Sequence, residues 1–304
     1  MANKNYSPRI LVLTLNSGEN EYAESLSQLK IQSYKNWEYI EFNHLPNKEA
    51  HERLYDYIMN HSEDYDLFVK MDADMMLRDE RALQDIVEYF AKNTNVHQAN
   101  FSVWDVISQQ SVMGLIVFRN TARWEKTKEM LFVDHTPTIP GKRLLVWGFP
   151  SPVAYHSHNP HNFQAFHFGV HRAMKAIQKE REKVNLIQSV IQWNFLWRVW
   201  KNYKRERSLQ RAYFLIGAYY VWTGKLVASS NNYADETLRV LFDNTKHLSE
   251  EEIYGLVKDN FANQLRRKNW LYILFWPKLY MYRLKCRLEV FCNSVLMSLE
   301  NSSA

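Results

Sequence analysis

The first 71 residues alternate between short apolar runs and segments in which apolar residues recur at helical spacing. The apolar runs cover residues 9–14, 37–42 and 67–71, and the helical spacing covers residues 19–31 and 47–61. Continuous apolar runs indicate buried strands, and apolar residues three or four apart indicate helices with one buried face. Strand–helix–strand–helix–strand order predicts an α/β fold with a mostly parallel sheet and right-handed crossovers.

An acidic motif, Asp72-Ala73-Asp74, follows the third apolar run. Residues two apart on a strand share one side of it, so both carboxylates are expected on the same side where the strand opens into a loop. Carboxylate oxygens bind hard divalent cations, and such a cation can clamp the diphosphate of a nucleotide-activated substrate. Acidic turns that only contact solvent produce the same motif. The carboxyl ends of parallel strands form one rim, which would bring the motif close to residues 14–16.

Later in the chain the pattern changes from mixed to almost wholly helical. Residues 96–106 and 112–118 are predicted to be strands and residues 121–132 a helix. Residues 133–152 contain four prolines and two glycines, and are predicted to form a long loop. From residue 163 onward the apolar spacing is helical.

Composition limits the class of protein. With 304 residues and 46% hydrophobic content, the chain can bury one large or two modest cores. We expect a sheet domain over residues 1–180 and an α-helical domain over residues 181–304. The only cysteines are Cys286 and Cys292, so no disulfide framework is implied and a reducing cytosol is favoured. We expect a cytoplasmic protein, either free or at the inner face of the plasma membrane, because no secretory signal or bilayer-spanning run is found.

One segment carries a resemblance to a known family. Residues 19–38, ENEYAESLSQLKIQSYKNWE, resemble the opening of family 2 glycosyltransferases, in which a strand, a helix and a second strand recur together. The next helix and the Asp72-Ala73-Asp74 motif follow in the same order at similar spacing. The resemblance covers residues 9–78 well and extends loosely to about residue 175. It implies the GT-A fold, a nucleotide-sugar donor and a divalent metal, Mn²⁺ or Mg²⁺, as in bacterial polysaccharide and lipopolysaccharide biosynthesis.

The resemblance also implies roles for individual residues. The predicted donor-binding residues come from the loops on the rim and from the late helix; they are Thr14, Leu15, Asn16, Asn43, Lys70, Asp72 and Arg172. Asp72 is expected to contact the ribose or the metal, and Asp74 the metal and the diphosphate. Family members usually have an Asp just after the second strand, but this chain has Phe42-Asn43-His44-Leu45-Pro46 there. Asn43 or His44 could take its place, and the base of the nucleotide stays open.

Five histidines fall between Tyr155 and Arg172. In GT-A enzymes a late histidine often completes the metal shell, and imidazole suits manganese. His156, at the end of a short predicted strand, is the first choice of ligand and His158 the second. The other three are expected to form ordinary hydrogen bonds or to face solvent. Arg172 and Lys175 could bind phosphate oxygens or lie on a solvated helix face.

If the transfer inverts configuration, a carboxylate must accept the proton of the acceptor hydroxyl. The two candidates are Asp134, in the long predicted loop, and Asp105, near the end of a predicted strand. Neither lies in a clear Glu-Asp motif, and a retaining reaction would need neither of them as a base. The stereochemistry therefore stays open.

Residues 266–287 combine aromatic residues with seven cations and no acid. This composition is typical of a surface that lies on anionic lipid, and it would suit a lipid-linked glycan acceptor. It also fits a helical core with a solvated basic face, and residues 193–211 have a similar composition. Nucleic-acid binding is not expected, because no recognisable nucleic-acid module accompanies these residues.

Two other functions are consistent with the same pattern. A sugar nucleotidyltransferase shares a similar domain and a metal site, but it needs a glycine-rich phosphate loop after the first strand. Residues 15–20 contain one glycine and are acidic. The other alternative is a non-catalytic, membrane-attached scaffold that keeps the GT-A fold. Metal-dependent binding of a nucleoside diphosphate would separate the enzyme from the scaffold.

Overall fold

The computed structural model describes residues 6–134, 136–138, 142–147, 151–179, 181–227 and 232–300. Over these residues the chain forms an α/β structure of eight strands and nine helices, in which the last six helices follow the sheet. The strands are β1 (Ile10–Asn16), β2 (Trp37–Asn43), β3 (Leu67–Lys70), β4 (Met75–Leu77), β5 (Val96–Asp105), β6 (Gln110–Arg119), β7 (Lys142–Val146) and β8 (Ala154–His156). The helices are α1 (Tyr22–Lys30), α2 (Asn47–Asn60), α3 (Ala82–Lys92), α4 (Asn162–Ile177), α5 (Leu186–Arg205), α6 (Leu209–Trp222), α7 (Glu236–Thr245), α8 (Glu250–Asn260) and α9 (Ala262–Glu300).

All the described strands form one mixed sheet. Its order is β2-β1-β3-β6-β5-β8-β4. β7 pairs with the first half of β5, and β8 pairs with the second half of β5 on the same side. The predicted parallel arrangement is confirmed for β2, β1 and β3. Beyond β3 the sheet is mixed. Because β6 returns from β5 through a tight turn, it runs antiparallel to both β5 and β3, and β4 runs antiparallel to β8, whereas β7 and β8 run parallel to β5.

Alternation along β1 and β3 builds a core on each face of the sheet. Ile10 and Val12 pack with Val69 and with α1 and α3 on one face. On the other face, the intervening side chains of both strands pack with α2; they include Leu11, Leu13 and Phe68. Each of these strands is buried on both faces, which is why its sequence is continuously apolar. The layers leave the carboxyl ends of β1 and β3 open at one rim.

The predicted helix over residues 121–132 is wrong. These residues form a loop, because the Trp124 side chain packs between α2 and the sheet instead of following a helical turn. Its ring stacks on Tyr55 at a centroid distance of 4.5 Å and meets Phe118 edge-on at 4.9 Å. The predicted loop over residues 133–152 contains β7, so its interpretation as loop throughout is also wrong. Residues 135, 139–141 and 148–150 of that loop lie outside the described part.

The helical region has its own core, in which α4, α5 and α6 pack together with α8 and the start of α9. One face of α4 packs in this helical core, and another face lines the cavity at the rim of the sheet. The domain boundary near residue 180 stays a prediction. In the portion of the chain that the structure describes, no helix combines the length and apolar character needed to cross a bilayer.

Gly169 of α4 and Gly217 of α6 allow the two helix backbones to touch. A Cβ at Gly169 would overlap the carbonyl oxygen of Phe214, and one at Gly217 would overlap that of Phe166. We expect Gly169→Ala to lower the free energy of unfolding by about 3 kcal/mol, at the upper end of overpacking costs, because backbone atoms cannot move aside as side chains do. Urea unfolding measures this change.

The matched control is Gly255→Ala in α8, where an added Cβ meets nothing within 4 Å. That substitution is expected to raise stability by about 0.5 to 1 kcal/mol, because it removes the entropic cost of glycine in a helix. Equal effects of the two substitutions would contradict the close contact between α4 and α6.

Candidate functional site

A cavity of about 300 Å³ opens at the carboxyl ends of β1 and β3. Its floor comes from the loops that follow these strands, and one wall comes from α4. The charged and imidazole side chains that line it are Glu19, His51, Asp72, Asp74, Asp134, His156, His167, His171, Arg172 and Lys175. Ligands of open α/β sheets bind at this edge, so the cavity is the candidate site.

Asp72 and Asp74 both face the cavity because the extended backbone of β3 continues through them. The amides of Met71 and Ala73 donate to the carbonyls of Leu13 and Leu15 at 3.0 and 3.1 Å, which extends the ladder with β1. Met71 and Ala73 point into the core and are buried, whereas the alternating residues Asp72 and Asp74 line the cavity. The predicted placement of the two acids on one side therefore agrees with the structure.

Lys70, whose side chain is only 2% exposed, joins two of the carboxylates. Its Nζ lies 3.0 Å from Asp72 Oδ1 and 3.3 Å from Asp134 Oδ1. Burial disfavours the charged ammonium, but Asp134 and Asp72 more than offset this and raise the pKa of Lys70. The predicted donor-binding residue Lys70 thus holds Asp72 and Asp134 at fixed positions.

Asp134 has further partners on α2. The hydroxyl of Tyr55 donates to its Oδ1 at 3.1 Å, and His51 Nε2 lies 3.2 Å from the same oxygen. Burial would raise the pKa of Asp134, but the charges of Lys70 and His51 hold it well below its usual value. A carboxylate stabilised in this way is a weak base, so the geometry does not favour the predicted role of Asp134 in accepting a proton.

His156 lies between two carboxylates. Its Nε2 is 3.2 Å from Asp74 Oδ2, and its Nδ1 donates to Asp105 Oδ2 at 2.7 Å. Burial lowers the pKa of His156, but Asp74 and Asp105 outweigh this and raise it to about 10. Burial likewise disfavours the charged Asp74, but the imidazolium lowers the pKa of that carboxyl. The ring is therefore positively charged at neutral pH, and a metal ion that bound Nε2 would have to displace its proton.

Asp105, the other predicted base, lies behind His156 and does not line the cavity. Its side chain is 0% exposed, and its Oδ1 accepts hydrogen bonds from the amide and hydroxyl of Ser108. A carboxylate in this position orients the imidazole and does not reach an acceptor hydroxyl in the cavity. The predicted role of Asp105 as a base stays a prediction, and this buried position does not favour it.

The register of three strands brings this chain of groups together. His156 pairs with Asp105 across the parallel β5–β8 ladder, and with Met75 across the antiparallel β4–β8 ladder. The residue before Met75 is Asp74, whose carbonyl also accepts the amide of Ser157 at 3.0 Å. A single residue at the end of β8 therefore meets one acid from each neighbouring strand.

Asp74 and His156 offer a donor set that suits a divalent cation. Asp74 Oδ1 is buried and has no hydrogen-bond partner among the described residues. With Nδ1 held by Asp105, His156 directs Nε2 toward Asp74, the carboxylate–imidazole arrangement that supports many metal ligands. Across the described ranges, this cavity included, no group of three or more His, Cys, Asp or Glu side chains is arranged to hold a metal ion. The residues thus fit a cation that takes its remaining ligands from water or phosphate.

The wall formed by α4 is cationic. Residues three or four apart along the helix line the cavity; they are Gln164, His167, Phe168, His171, Arg172 and Lys175. The Arg172 guanidinium lies over the rings of Phe168 and Phe195, at 4.8 and 4.4 Å from their centroids, and donates to Gln192 at 3.2 Å. Burial, reinforced by the charge of Arg172, lowers the pKa of Lys175 to about 8. Arg172 and Lys175 are both half-buried and line the cavity, and their predicted contact with phosphate oxygens stays a prediction.

Most of the other predicted residues do not line the cavity. Leu15 lines it, but Thr14 is buried behind, and Asn16 uses its Oδ1 to accept the amide of Gly18 at 2.9 Å. Asn43 is exposed and donates to Glu41, so it does not reach the cavity. His158 is also exposed and does not line the cavity, which removes it from the metal ligands that the geometry supports.

Among the charged and imidazole side chains that line the cavity, two were not predicted from the sequence. Glu19 follows β1, and burial together with the charges of Asp74 and Asp72 raises its pKa to about 7. The amide of Ser17 donates to its Oε2 at 2.7 Å. His51 shares the inward face of α2 with Leu54 and Ile58, so its helical position could have identified it. No comparable local signal marks Glu19.

No protein-family model matches this chain, and no curated protein matches it. Among solved structures, it is similar to a mannosyltransferase from Pyrobaculum calidifontis, described in complex with GDP-mannose and Mn²⁺. The two share 11% sequence identity with a TM-score of 0.33, over 88% of this chain and 86% of the other. A similarity this low assigns neither a fold family nor an activity.

Proposed function

We propose that this protein is a glycosyltransferase of GT-A type that takes a nucleotide-sugar donor with the help of a divalent cation, Mn²⁺ or Mg²⁺. The observation that carries the proposal is that one cavity has an acidic side, on the sheet rim, and a basic side, on α4. Asp74 and His156 offer cation ligands on the sheet rim, and Arg172 and Lys175 face the same cavity from α4. A diphosphate bridging a metal ion and a cationic helix satisfies both surfaces.

Each residue then has a defined task. A divalent cation held by Asp74 and His156 would supply charge stabilisation for the departing diphosphate. Arg172, held by its aromatic contacts and Gln192, presents a guanidinium in a fixed orientation to phosphate oxygens. Lys70 fixes Asp72, which leaves the second oxygen of that carboxylate for the ribose or the cation. Asp105 holds the imidazole in position.

Glu19 is the best-placed carboxylate for accepting a proton from an acceptor hydroxyl. It lines the cavity, whereas Asp105 is fully buried and Asp134 is held by Lys70 and His51. A cation bound at Asp74 would lower the pKa of Glu19 from about 7 and keep it ionised at neutral pH. This role applies to an inverting reaction.

The proposal extends to the acceptor and the location. We assign the acceptor to surface glycans of the bacterial polysaccharide or lipopolysaccharide type, free or lipid-linked, and the protein to the cytoplasm or the inner face of the plasma membrane. A sugar nucleotidyltransferase is disfavoured, since Gly18 is the only glycine in the loop after β1. The non-catalytic scaffold remains the alternative that experiment must exclude.

A donor screen tests the function. The protein is incubated with a panel of nucleotide sugars and Mn²⁺, and release of nucleoside diphosphate is measured with and without a chelator. We expect slow hydrolysis of one donor, suppressed by the chelator. If no donor is hydrolysed and no nucleoside diphosphate binds, the scaffold is correct.

Lys175 should make donor binding depend on pH. Its pKa of about 8 means that the ammonium is charged below that pH and neutral above it. Phosphate binds the charged form, so affinity should fall as the pH rises above about 8, with the midpoint shifted upward in the complex. We expect Lys175→Gln to weaken binding by roughly 10-fold at pH 7 and to flatten this dependence.

The control is Lys179→Gln, which removes an exposed cation four residues further along. It should leave both the affinity and its pH profile unchanged when the binding of a nucleoside diphosphate to both variants is measured by fluorescence titration between pH 6 and pH 10, a range about two units either side of the Lys175 pKa of about 8. An unaltered profile in Lys175→Gln would show that Lys175 does not contact the phosphates.

A further inference from the structure

The helix α9 exposes a continuous apolar stripe. Its residues alternate at spacings of four and three; they are Trp270, Leu274, Pro277, Met281, Leu284, Leu288, Phe291 and Val295. Leu274 is 72% exposed, Met281 60% and Phe291 64%. We call these residues the α9 stripe. At 100° per residue they share one side of the helix, whereas the buried Leu265, Leu279 and Cys286 face the body of the protein.

Cations border the α9 stripe on both edges. Lys278 and Lys285 lie along one edge, and Arg287 lies along the other beside Tyr280. Residues 260–288 contain no acid, and although Lys285 pairs with Glu289 one turn further along at 3.9 Å, the net charge along the two edges stays positive. The neighbouring surface adds Arg283, whose guanidinium lies 4.8 Å from the centroid of the Trp147 ring. The surface is therefore apolar in its middle and basic at its margins.

A second copy of the helix is a poor occupant of this surface. The spacing is that of a two-helix coiled coil, in which the residues that border the seam set partner choice. Here those positions hold Lys278, Lys285 and Arg287, which would meet like charges in a second copy. Pro277 lies inside the seam and lacks the N–H that would bond one turn back, which makes this position unfavourable for close packing against a second helix.

An anionic lipid surface fits the same features. Apolar side chains enter the acyl boundary, Lys and Arg at the margins reach phosphate headgroups, and Trp and Tyr rings prefer the level between them. Trp270, Trp276 and Tyr280 are each at least half exposed on this helix. The helix has 39 residues, so it is about 58 Å long and offers a long contact in the membrane plane.

We propose that α9 lies in the plane of an anionic lipid bilayer, with the α9 stripe immersed and Lys278, Lys285 and Arg287 at the headgroups. This surface is independent of the cavity and does not rest on the proposed transferase function. It would hold the protein where lipid-linked acceptors lie.

Vesicle sedimentation with the full chain tests the proposal, without any nucleotide sugar. Vesicles of phosphatidylcholine alone are compared with vesicles in which about 30% of the lipid is phosphatidylglycerol, which makes their surface strongly anionic. We expect binding to the anionic vesicles, with at least roughly 10-fold weaker binding to the neutral ones and at high salt. Equal binding to both kinds of vesicle, or to neither, would overturn the proposal.

Paired variants separate the two parts of the surface. Leu274→Gln with Leu288→Gln should reduce binding by roughly 10-fold or more, and Lys278→Gln with Lys285→Gln by about 10-fold on anionic vesicles only. Val240→Gln with Lys258→Gln, which changes one exposed apolar residue and one cation elsewhere, should have no effect. All the replaced side chains are exposed, and unchanged urea midpoints will confirm the fold. If the Leu variant dissociates a dimer without altering vesicle binding, the occupant is a second copy and the proposal is wrong.

Discussion

Asp74→Asn is expected to reduce sugar transfer by about 100- to 1,000-fold while the fold is retained. Asp74 lines the cavity, and its Oδ1 is buried without a hydrogen-bond partner among the residues that the structure describes. Asparagine keeps the shape but removes the negative charge, which is the property that a divalent cation requires. The measurement is donor turnover at saturating Mn²⁺.

Asp56→Asn is the matched control, since it removes an exposed carboxylate on the outer side of α2. Its turnover should equal that of the unmodified protein. Urea unfolding of Asp74→Asn must show a folded protein, because the imidazolium of His156 keeps Asp105 as a partner. A folded Asp74→Asn protein with full turnover would remove Asp74 from the mechanism.

His156→Ala is expected to cost about 3 to 5 kcal/mol of stability, because it removes the positive charge from between the buried Asp105 and the half-buried Asp74 carboxylates. Most of this cost comes from Asp105, because its side chain is 0% exposed and its carboxylate would stay charged without a partner of opposite charge. The folded-state pKa of His156, about 10, exceeds its ordinary value of 6.5. Its stabilisation is therefore fully present below pH 6.5 and is lost as the pH rises toward 10. Urea unfolding at pH 6 and pH 9.5 should show a larger cost at pH 6.

A double substitution separates charge from packing. Asp105→Asn in the His156→Ala background neutralises the uncompensated carboxylate, so part of the lost stability should return. In the unmodified background, Asp105→Asn should destabilise the protein because it removes the ion pair. Additive losses in the double variant would show that the cost of His156→Ala comes from packing alone.

The first half of the fold was predictable because its signals are local. The alternation of apolar runs and helical spacing predicted β1, α1, β2, α2 and β3 at nearly their observed bounds. The same period of two placed Asp72 and Asp74 on one side of the chain. The segment over residues 121–132 failed because a contact distant in sequence, Trp124 on Tyr55, determines its backbone.

The remaining parts of the site depend on pairings that no local pattern reveals. His156 was predicted to be a ligand from its place after a short strand, but its partner Asp105 depends on the register between β5 and β8. Glu19 gains its raised pKa from burial beneath elements that come later in the chain, and from Asp74 and Asp72 across the cavity. The ladders of β8 and the packing of α4 over the rim therefore decide which side chains meet.

The most direct test of the central claim is calorimetric titration of the protein with GDP and with UDP, in the presence and absence of Mn²⁺. The site predicts that one of these diphosphates binds with Mn²⁺, that binding weakens markedly without the metal, and that Asp74→Asn binds alike in both conditions. Absence of binding to either diphosphate, or identical metal dependence in Asp74→Asn, would contradict a metal-assisted diphosphate site at this rim.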